Sequence, residues 1–189
     1  MFEFRKGRVL DIPEVLTLHS KYQIDSIKEE DKKDGFVTTA FTIEELTSLI
    51  EKEDGLFLCF KDDVLVAYVM CASWQFWSVW PMFKHMLNDL SSLTYKGIQL
   101  TEFNSYQYGP ICIDKSQRGT DVLPLLFDFA RDIMSLKYPV LVTFINKNNP
   151  RSFNAHTKKL GLEVITEFEF NNNNYYELVY DTSISLINK

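Results

Sequence analysis

Glycine and proline are scarce in this sequence, with seven and six among 189 residues, which argues against long flexible linkers. The three cysteines, Cys59, Cys71 and Cys112, each lie in an apolar run and show no metal-ligand spacing. No apolar run is long enough to span a bilayer, and the longest, Val64–Ala72, is typical of a buried strand. With no recognisable signal peptide, these features predict reduced thiols, no metal, no membrane association and a cytoplasmic protein.

Positive charge is also in the minority, since 20 lysines and arginines against 26 aspartates and glutamates leave a net charge of −6. This balance argues against nucleic acid or an anionic membrane as a general partner, but it leaves room for a local basic patch. Hydrophobic residues make up 46% of the chain and charged residues 24%, as in globular proteins. We therefore expect one globular domain over residues 1–189.

Apolar spacing predicts seven strands and five helices, in the order β-α-α-β-β-α-β-α-β-α-β-β. Asp11 with Pro13 marks the start of the first helix, and Thr42 with Glu45 forms a capping box at the start of the second. The predicted strands are Phe2–Arg5, Leu56–Phe60, Val64–Ala72, Ser105–Ile113, Val140–Ile145, Val164–Phe170 and Tyr175–Tyr180. The predicted helices run from Asp11 to about Tyr22, from Thr42 to Asp54, and over Pro81–Leu93, Val122–Leu136 and Asn149–Leu160.

A polar turn, Asp114–Asp121, joins the fourth predicted strand to a helix. The start of a helix offers unpaired N–H groups and the positive end of the helix dipole, which together favour a phosphate. Gly119 would let the main chain approach an oxygen closely, and Lys115 and Arg118 add positive charge. From the residues alone, the turn is either a phosphate site or an ordinary solvated turn, and the second interpretation is the commoner one.

The segment Ile111–Gly119, with the following helix Val122–Met134, resembles the acetyl-CoA-binding motif of the GNAT superfamily of N-acetyltransferases. Asn148–Phe153 and Lys159–Glu163 resemble the second motif of that superfamily, and the element order resembles it over nearly the whole chain. The resemblance implies an α+β fold with a mixed, mostly antiparallel central sheet of about seven strands and flanking helices. It also implies a splay between the fourth and fifth strands, acetyl-CoA as cosubstrate and no metal.

The same resemblance assigns contacts with the cosubstrate. It implies that the main chain of Ile111 and Ile113 pairs with the pantetheine arm and that the following turn holds the pyrophosphate. The implied cosubstrate-binding residues are Ile111, Cys112, Ile113, Gln117, Arg118, Gly119, Thr120, Asp121, Val122, Asn148, Asn149 and Ser152. The turn departs from the usual family pattern at Ser116 and Asp121. Two alternatives therefore stay open: a non-catalytic acyl-CoA-binding or regulatory module on the same fold, and an interaction protein without the cosubstrate.

Direct transfer of an acetyl group to an amine in a ternary complex requires a base, an acid and a hydrogen-bond donor for the oxyanion. His156 takes the place of the family's helix tyrosine when residues are counted forward from Asn149, whereas counting back from the helix end gives Thr157. We predict His156 as the acid, Glu102 as a base acting through water, and the N–H of Ile113 or a neighbour as the oxyanion donor. Ordinary surface or core positions are the alternative for both side chains.

The resemblance places recognition of the acceptor amine in the loop between the first two helices and near the fourth strand. The predicted acceptor-binding residues are Phe36, Thr38, Trp74, Trp77, Tyr106 and Tyr108. The tryptophans form either an aromatic wall over the acceptor or a helix that fills the core or a dimer contact. For the tyrosines, packing within the sheet is the alternative. The acceptor is predicted only as an amine of a small molecule or a protein, and the protein as a monomer or homodimer.

Overall fold

The computed structural model describes residues 1–187, with side chains for all of these except residues 31, 33 and 34. Within this range the strands are Phe2–Lys6 (β1), Leu56–Lys61 (β2), Val64–Ala72 (β3), Thr94–Tyr95 (β4), Ile98–Gln99 (β5), Ser105–Ile113 (β6), Val140–Asn146 (β7), Glu163–Phe170 (β8) and Asn173–Asp181 (β9). The helices are Ile12–Ser20 (α1), Ile43–Ser48 (α2), Trp74–Trp77 (α3), Pro81–Leu90 (α4), Val122–Ser135 (α5) and Pro150–Asn154 (α6). Wider π-helical turns extend α2 to Glu53 and α6 to Lys159.

Seven of the described strands form one sheet in the order β1-β2-β3-β6-β7-β9-β8, and β4 pairs with β5 in a separate hairpin. Each neighbouring pair in the large sheet is antiparallel except β6 and β7, which are parallel. The structure thus confirms the predicted α+β fold with a mixed, mostly antiparallel sheet. Asp62–Asp63 and Asn171–Asn172 close two of its hairpins with positive φ at both residues, a conformation that Asp and Asn tolerate and that suits the strand twist.

The pairing between β6 and β7 is short. Ser105–Gln107 pairs with Val140–Val142, and no further pair joins these two strands in the described chain. On its other side, β6 has a bulge at Gly109–Pro110 in its pairing with β3. The second half of β6 therefore has no strand partner on the β7 side. The predicted splay between these two strands stays a prediction.

Two apolar layers cover the sheet because side chains alternate along each strand. Phe57 and Cys59 of β2 pack in the layer that contains α5, whereas Leu56 and Leu58 pack in the layer that contains α1 and α2. The segment with α3 and α4 extends this second layer, where Trp74 packs with residues of β7 and β9. The second half of β6 thus lies in the middle of the sheet, between helices on both faces.

Two local features of the structure were not predicted, namely the cap of α3 and the β4–β5 hairpin. α3 begins at an unpredicted cap, since the Ser73 hydroxyl accepts a hydrogen bond from the N–H of Phe76. The β4–β5 hairpin turns at Lys96–Gly97, where both residues have positive φ. Helices α1 and α4 are also shorter than predicted and end at Ser20 and Leu90. No helix in the described range is long and apolar enough to cross a lipid bilayer.

One carboxyl group lies inside the sheet layer. Glu177 of β9 is 3% exposed, and its Oε1 has no hydrogen-bond partner among the described residues. Burial raises the pKa of Glu177 to about 7, and the nearby Asp89 of α4 contributes to this rise. The glutamate lies opposite Phe144 in the β7–β9 register, so it is part of the layer beneath α4.

Candidate active site

Two cavities meet beside the second half of β6. The larger has a volume of about 440 Å³ and the smaller about 90 Å³. The residues that line both are Phe36, Val37, Ile111, Asn149, Ser152 and His156. A group bound in one cavity would therefore approach a group bound in the other at these shared residues.

The larger cavity is positively charged. Arg118 lines it from the turn after β6, and Arg151, Lys158 and Lys159 line it from α6 and its π-helical extension. No aspartate or glutamate with a described side chain joins them there. Arg151 on α6 and the two lysines on its π-helical extension thus face the same cavity. In a protein of net charge −6, this concentration of cations favours an anionic ligand.

The main chain of β6 presents hydrogen-bonding groups to the larger cavity. The N–H of Asp114 donates to the Val66 carbonyl oxygen of β3 at 2.8 Å. Because bonding direction alternates along a strand, the N–H groups of Ile113 and Ile111 point away from β3. Arg118 Nε donates to the Ile113 carbonyl oxygen at 3.1 Å, which places this carbonyl on the same open side. An extended ligand lying along this edge would find donors and acceptors at strand spacing.

Asp114 orders the turn that follows β6. Its carboxylate accepts hydrogen bonds from the N–H of Ser116 and from Lys21 Nζ, each at 3.0 Å. Burial opposes the ionisation of Asp114, but these bonds outweigh burial and hold its pKa at about 2. Gly119 has a φ of +85°, and no described atom lies within 4 Å of the position that a Cβ would take. The main chain at Gly119 is therefore open to a bulky anion near the first turn of α5.

His156 is 4% exposed and lies where the two cavities meet. Its Nδ1 is 2.8 Å from the Ser152 carbonyl oxygen, and because a carbonyl only accepts, Nδ1 carries the proton. Burial lowers the pKa of His156 from its usual 6.5, although the bond to Ser152 opposes this, so the ring is neutral at pH 7. The neutral ring holds a lone pair at Nε2. Acting as an acid, the role predicted from the sequence, therefore requires that Nε2 first take up a proton.

The smaller cavity combines aromatic and aliphatic walls with uncharged polar groups. Phe36, Phe83 and Phe144 form aromatic walls, while Thr38 and Gln107 add polar groups. No aspartate, glutamate, lysine or arginine with a described side chain lines this cavity. Apolar walls that carry polar groups for orientation are typical of a small-molecule pocket.

Most of the predicted site residues line one of the two cavities. The larger cavity includes the predicted residues Ile111, Cys112, Ile113, Gln117, Arg118, Gly119, Thr120, Asn149 and Ser152. The smaller cavity includes Phe36, Thr38 and Tyr108. His156, predicted as a catalytic residue, lines both.

The other predicted residues line neither cavity: Glu102, Asp121, Val122, Asn148, Trp74, Trp77 and Tyr106. Glu102 is exposed and precedes β6, so it lies at the end of the strand remote from Ile111. Asp121 and Asn148 are exposed. The structure therefore does not place the Glu102 carboxylate where it could act as a base, and the Asp121 carboxylate does not line the cationic cavity.

The buried members of this group pack in the core instead. Trp74 Nε1 donates to Ser105 Oγ at 2.9 Å, and the Trp77 ring lies 4.7 Å from that of Phe83. Tyr106 packs in the layer with α5. The tryptophans thus fill the core, which was the alternative interpretation of their spacing.

Several cavity residues were not predicted, namely Arg151, Lys158, Lys159, Gln107, Phe83 and Phe144. The sequence contained a signal for the three cations Arg151, Lys158 and Lys159, because their spacing puts them near one face of the helix predicted over Asn149–Leu160. The sequence contained no such signal for Gln107, since its position in the cavity depends on where the β6–β7 pairing stops. Within the described residues, no group of three or more His, Cys, Asp or Glu is arranged to hold a metal ion.

No protein-family model and no curated protein matches the sequence. Solved structures do match the fold. A putative acetyltransferase from Salmonella typhimurium, solved with acetyl-CoA, aligns with a TM-score of 0.63 and 10% identity over 96% of this chain and 94% of its own. The ribosomal-protein-S18-alanine N-acetyltransferase from Escherichia coli aligns with a TM-score of 0.63 and 9% identity over 100% of this chain and 99% of its own.

A third match names the fold family. An acetyltransferase of the GNAT family from Streptococcus pneumoniae aligns with a TM-score of 0.62 and 13% identity, over 96% of this chain and 99% of its own. At such low identity these likenesses concern the fold. The seven-stranded sheet of this chain, with its one parallel pair and flanking helices, is a GNAT fold.

Proposed function

We propose that this protein is an N-acetyltransferase that transfers an acetyl group from acetyl-CoA to an amine of a small molecule or a protein, by direct attack in a ternary complex. The observation that carries the proposal is the junction of a cationic cavity with an uncharged one at Ile111 and His156. Two substrates held on either side of this junction would meet there, as direct transfer requires. The fold neighbours, one of them solved with acetyl-CoA, support the same function.

The groups that line the larger cavity suit acetyl-CoA, a cosubstrate whose thioester supplies the activated acetyl group. The open main-chain edge at Ile111–Ile113 would pair with the pantetheine arm, and Gln117–Thr120 with the first turn of α5 would hold the pyrophosphate. Arg151, Lys158 and Lys159 would neutralise phosphate charge. Together these residues provide what an elongated anion with amide groups needs, namely a bonding edge and nearby cations.

His156 has the position to move the proton that the reaction displaces. We assign its Nε2 the role of accepting a proton from the attacking amine and then giving a proton to the departing sulfur. The Ser152 carbonyl keeps the Nδ1–H in place, which fixes both the ring and its tautomer. Of the strand N–H groups, we assign the oxyanion to Ile111, because Ile111 lines both cavities.

We further propose that residues 1–189 act as one domain and that β6 and β7 splay around the cosubstrate. Alignment with whole acetyltransferase structures over 96% or more of this chain supports the first statement. The end of β6–β7 pairing at Gln107 supports the second. A reducing compartment such as the cytoplasm is consistent with three buried, unpaired cysteines.

The proposal is tested by titrating the protein with acetyl-CoA in a calorimeter and then measuring thiol release with a pooled library of amines. We expect saturable binding, and thiol release that depends on the amine. No binding at millimolar acetyl-CoA would overturn the proposal. Binding without thiol release from any amine would instead indicate the non-catalytic acyl-CoA-binding module.

The double substitution Lys158→Gln and Lys159→Gln is expected to weaken acetyl-CoA binding by about tenfold at low salt, since each lysine contributes a partly screened charge interaction. The difference in acetyl-CoA affinity between the double variant and the original protein should shrink at high salt. Calorimetric titrations at two salt concentrations measure both effects. The control is Lys137→Gln, which removes a lysine that lines neither cavity. Unchanged affinity in the double variant would contradict phosphate binding by these lysines.

A further inference from the structure

The size of the smaller cavity limits what enters it. An apolar cavity of about 150 Å³ holds benzene, so a volume of about 90 Å³ holds roughly four non-hydrogen atoms. The aromatic rings of Phe36, Phe83 and Phe144 line this space. An apolar group as short as a branched four-carbon chain would bury its surface against these rings.

One residue that lines the cavity has an unsatisfied hydrogen-bond acceptor. Gln107 is 1% exposed and lines the cavity, and its Nε2 donates to the Tyr108 carbonyl oxygen at 2.7 Å. That carbonyl fixes the orientation of the amide, because only the NH₂ group of the glutamine can donate to it. Gln107 Oε1 has no partner among the described residues. A bound N–H group would supply the partner that this buried oxygen lacks.

The charge of the cavity is the third constraint. No lysine, arginine, aspartate or glutamate with a described side chain lines it, and His156 is neutral at pH 7. A second charge on the acceptor would therefore lose its hydration without gaining a partner. The same apolar surroundings lower the pKa of a bound amine, since burial disfavours its charged form. The pocket thus favours the unprotonated amine that can attack.

We propose that the acceptor is a primary amine on a short apolar group, with no second charge near the amine, and that Gln107 is a specificity-determining residue which accepts a hydrogen bond from the amine. This inference rests on the proposed function and adds the chemical class of the acceptor. Such a group occurs both in a small alkylamine and at the amino terminus of a peptide that begins with alanine. Two arms of the experiment separate these sources.

The test measures equilibrium binding of amines to the full chain by ligand-observed NMR, in the presence of CoA. Isobutylamine is compared with 1,4-diaminobutane and 4-aminobutanoate, which have the same number of carbons but a second charge. The peptide Ala-Gly-Gly forms the other arm. We expect isobutylamine or the peptide to bind at least tenfold more tightly than either doubly charged compound. Equal or tighter binding of 1,4-diaminobutane overturns the inference.

Gln107→Leu keeps a side chain of similar size and removes the whole amide, including the acceptor oxygen and the Nε2 that donates to Tyr108, so it is expected to weaken binding of the preferred amine by about tenfold. Acetyl-CoA binding is expected to stay unchanged, which shows that the variant is folded. Gln75→Leu is the control, since Gln75 is exposed on α3. A second variant, Gln107→Glu, should shift the preference toward 1,4-diaminobutane.

The two proposals fail in different ways. Lost or absent acetyl-CoA binding in the unmodified protein overturns the proposed function. Intact acetyl-CoA binding with no change of amine affinity in either Gln107 variant overturns only the acceptor assignment.

Discussion

Replacing His156 with alanine is expected to lower kcat by about 10²–10⁴-fold, the usual contribution of one general acid–base group. The reason is that we assign Nε2 of the neutral ring the role of proton acceptor, and His156 lines both cavities. His156→Gln should lose kcat to a similar extent while keeping a polar side chain of comparable size. Steady-state thiol release with a saturating amine measures the effect, and acetyl-CoA binding checks that each variant is folded.

The pH profile decides which role the histidine has. Burial lowers the pKa of His156 from 6.5, so a base at this position is active above that lowered pKa and loses activity as the pH falls through it. If His156 were instead an acid that is protonated before the reaction starts, activity would be lost as the pH rises through its pKa. The control is His85→Ala, because His85 lies on α4 and lines neither cavity. A His156→Ala variant with kcat within about threefold of the original would contradict the assignment.

Replacing Glu177 with glutamine is expected to stabilise the protein by roughly 3 kcal/mol at pH 8. The pKa of Glu177 is about 7 in the folded protein and 4.5 in the unfolded chain, so the folded state binds more protons between these values. Stability contributed by the protonated form is therefore lost as the pH rises from about 4.5 to 7, and the loss is complete above pH 7. The glutamine variant cannot ionise and should show no such decline from this position.

Urea unfolding between pH 5 and pH 8 measures the free energy of unfolding for both proteins. The difference between them should be small at pH 5 and reach its full size above pH 7. Glu169→Gln is the matched control, since it removes the same charge from an exposed position on the neighbouring strand β8. A Glu177→Gln variant whose stability falls with pH in parallel with the original would show that this carboxyl group is not the cause.

Elements of the fold were predictable where one local signal decided them. Ser105–Ile113 was predicted with both ends correct, because an apolar alternation runs directly into a polar turn. The capping box at Thr42 and Glu45 appears in the structure with both of its hydrogen bonds. The short helix α3 was predicted only as one of two interpretations of the tryptophan spacing, since one helical turn is too short for a periodic pattern.

The site was predictable to the extent that it depends on consecutive residues. The turn Gln117–Thr120 and the strand before it follow from local sequence and line the larger cavity. Glu102 precedes β6 as predicted but lines neither cavity, because the sequence does not show which end of a strand faces a cavity. Gln107, Phe83 and Phe144 come together only through tertiary packing. Their meeting depends on where the pairing of β6 with β7 stops and on how α4 lies over the sheet.

The second half of β6 pairs with β3 but has no strand partner on the β7 side, so it forms an open edge in the middle of the sheet rather than at its margin. A strand edge at the margin can pair with other chains and invites aggregation, whereas this one is flanked by β7 and covered by helices on both faces. A slender ligand with its own amide groups would act as the missing strand and complete the ladder. Recognition of that kind reads the main chain, so the side chains of Ile111 and Ile113 contribute by packing against the core layer that contains α5, which holds the strand in shape.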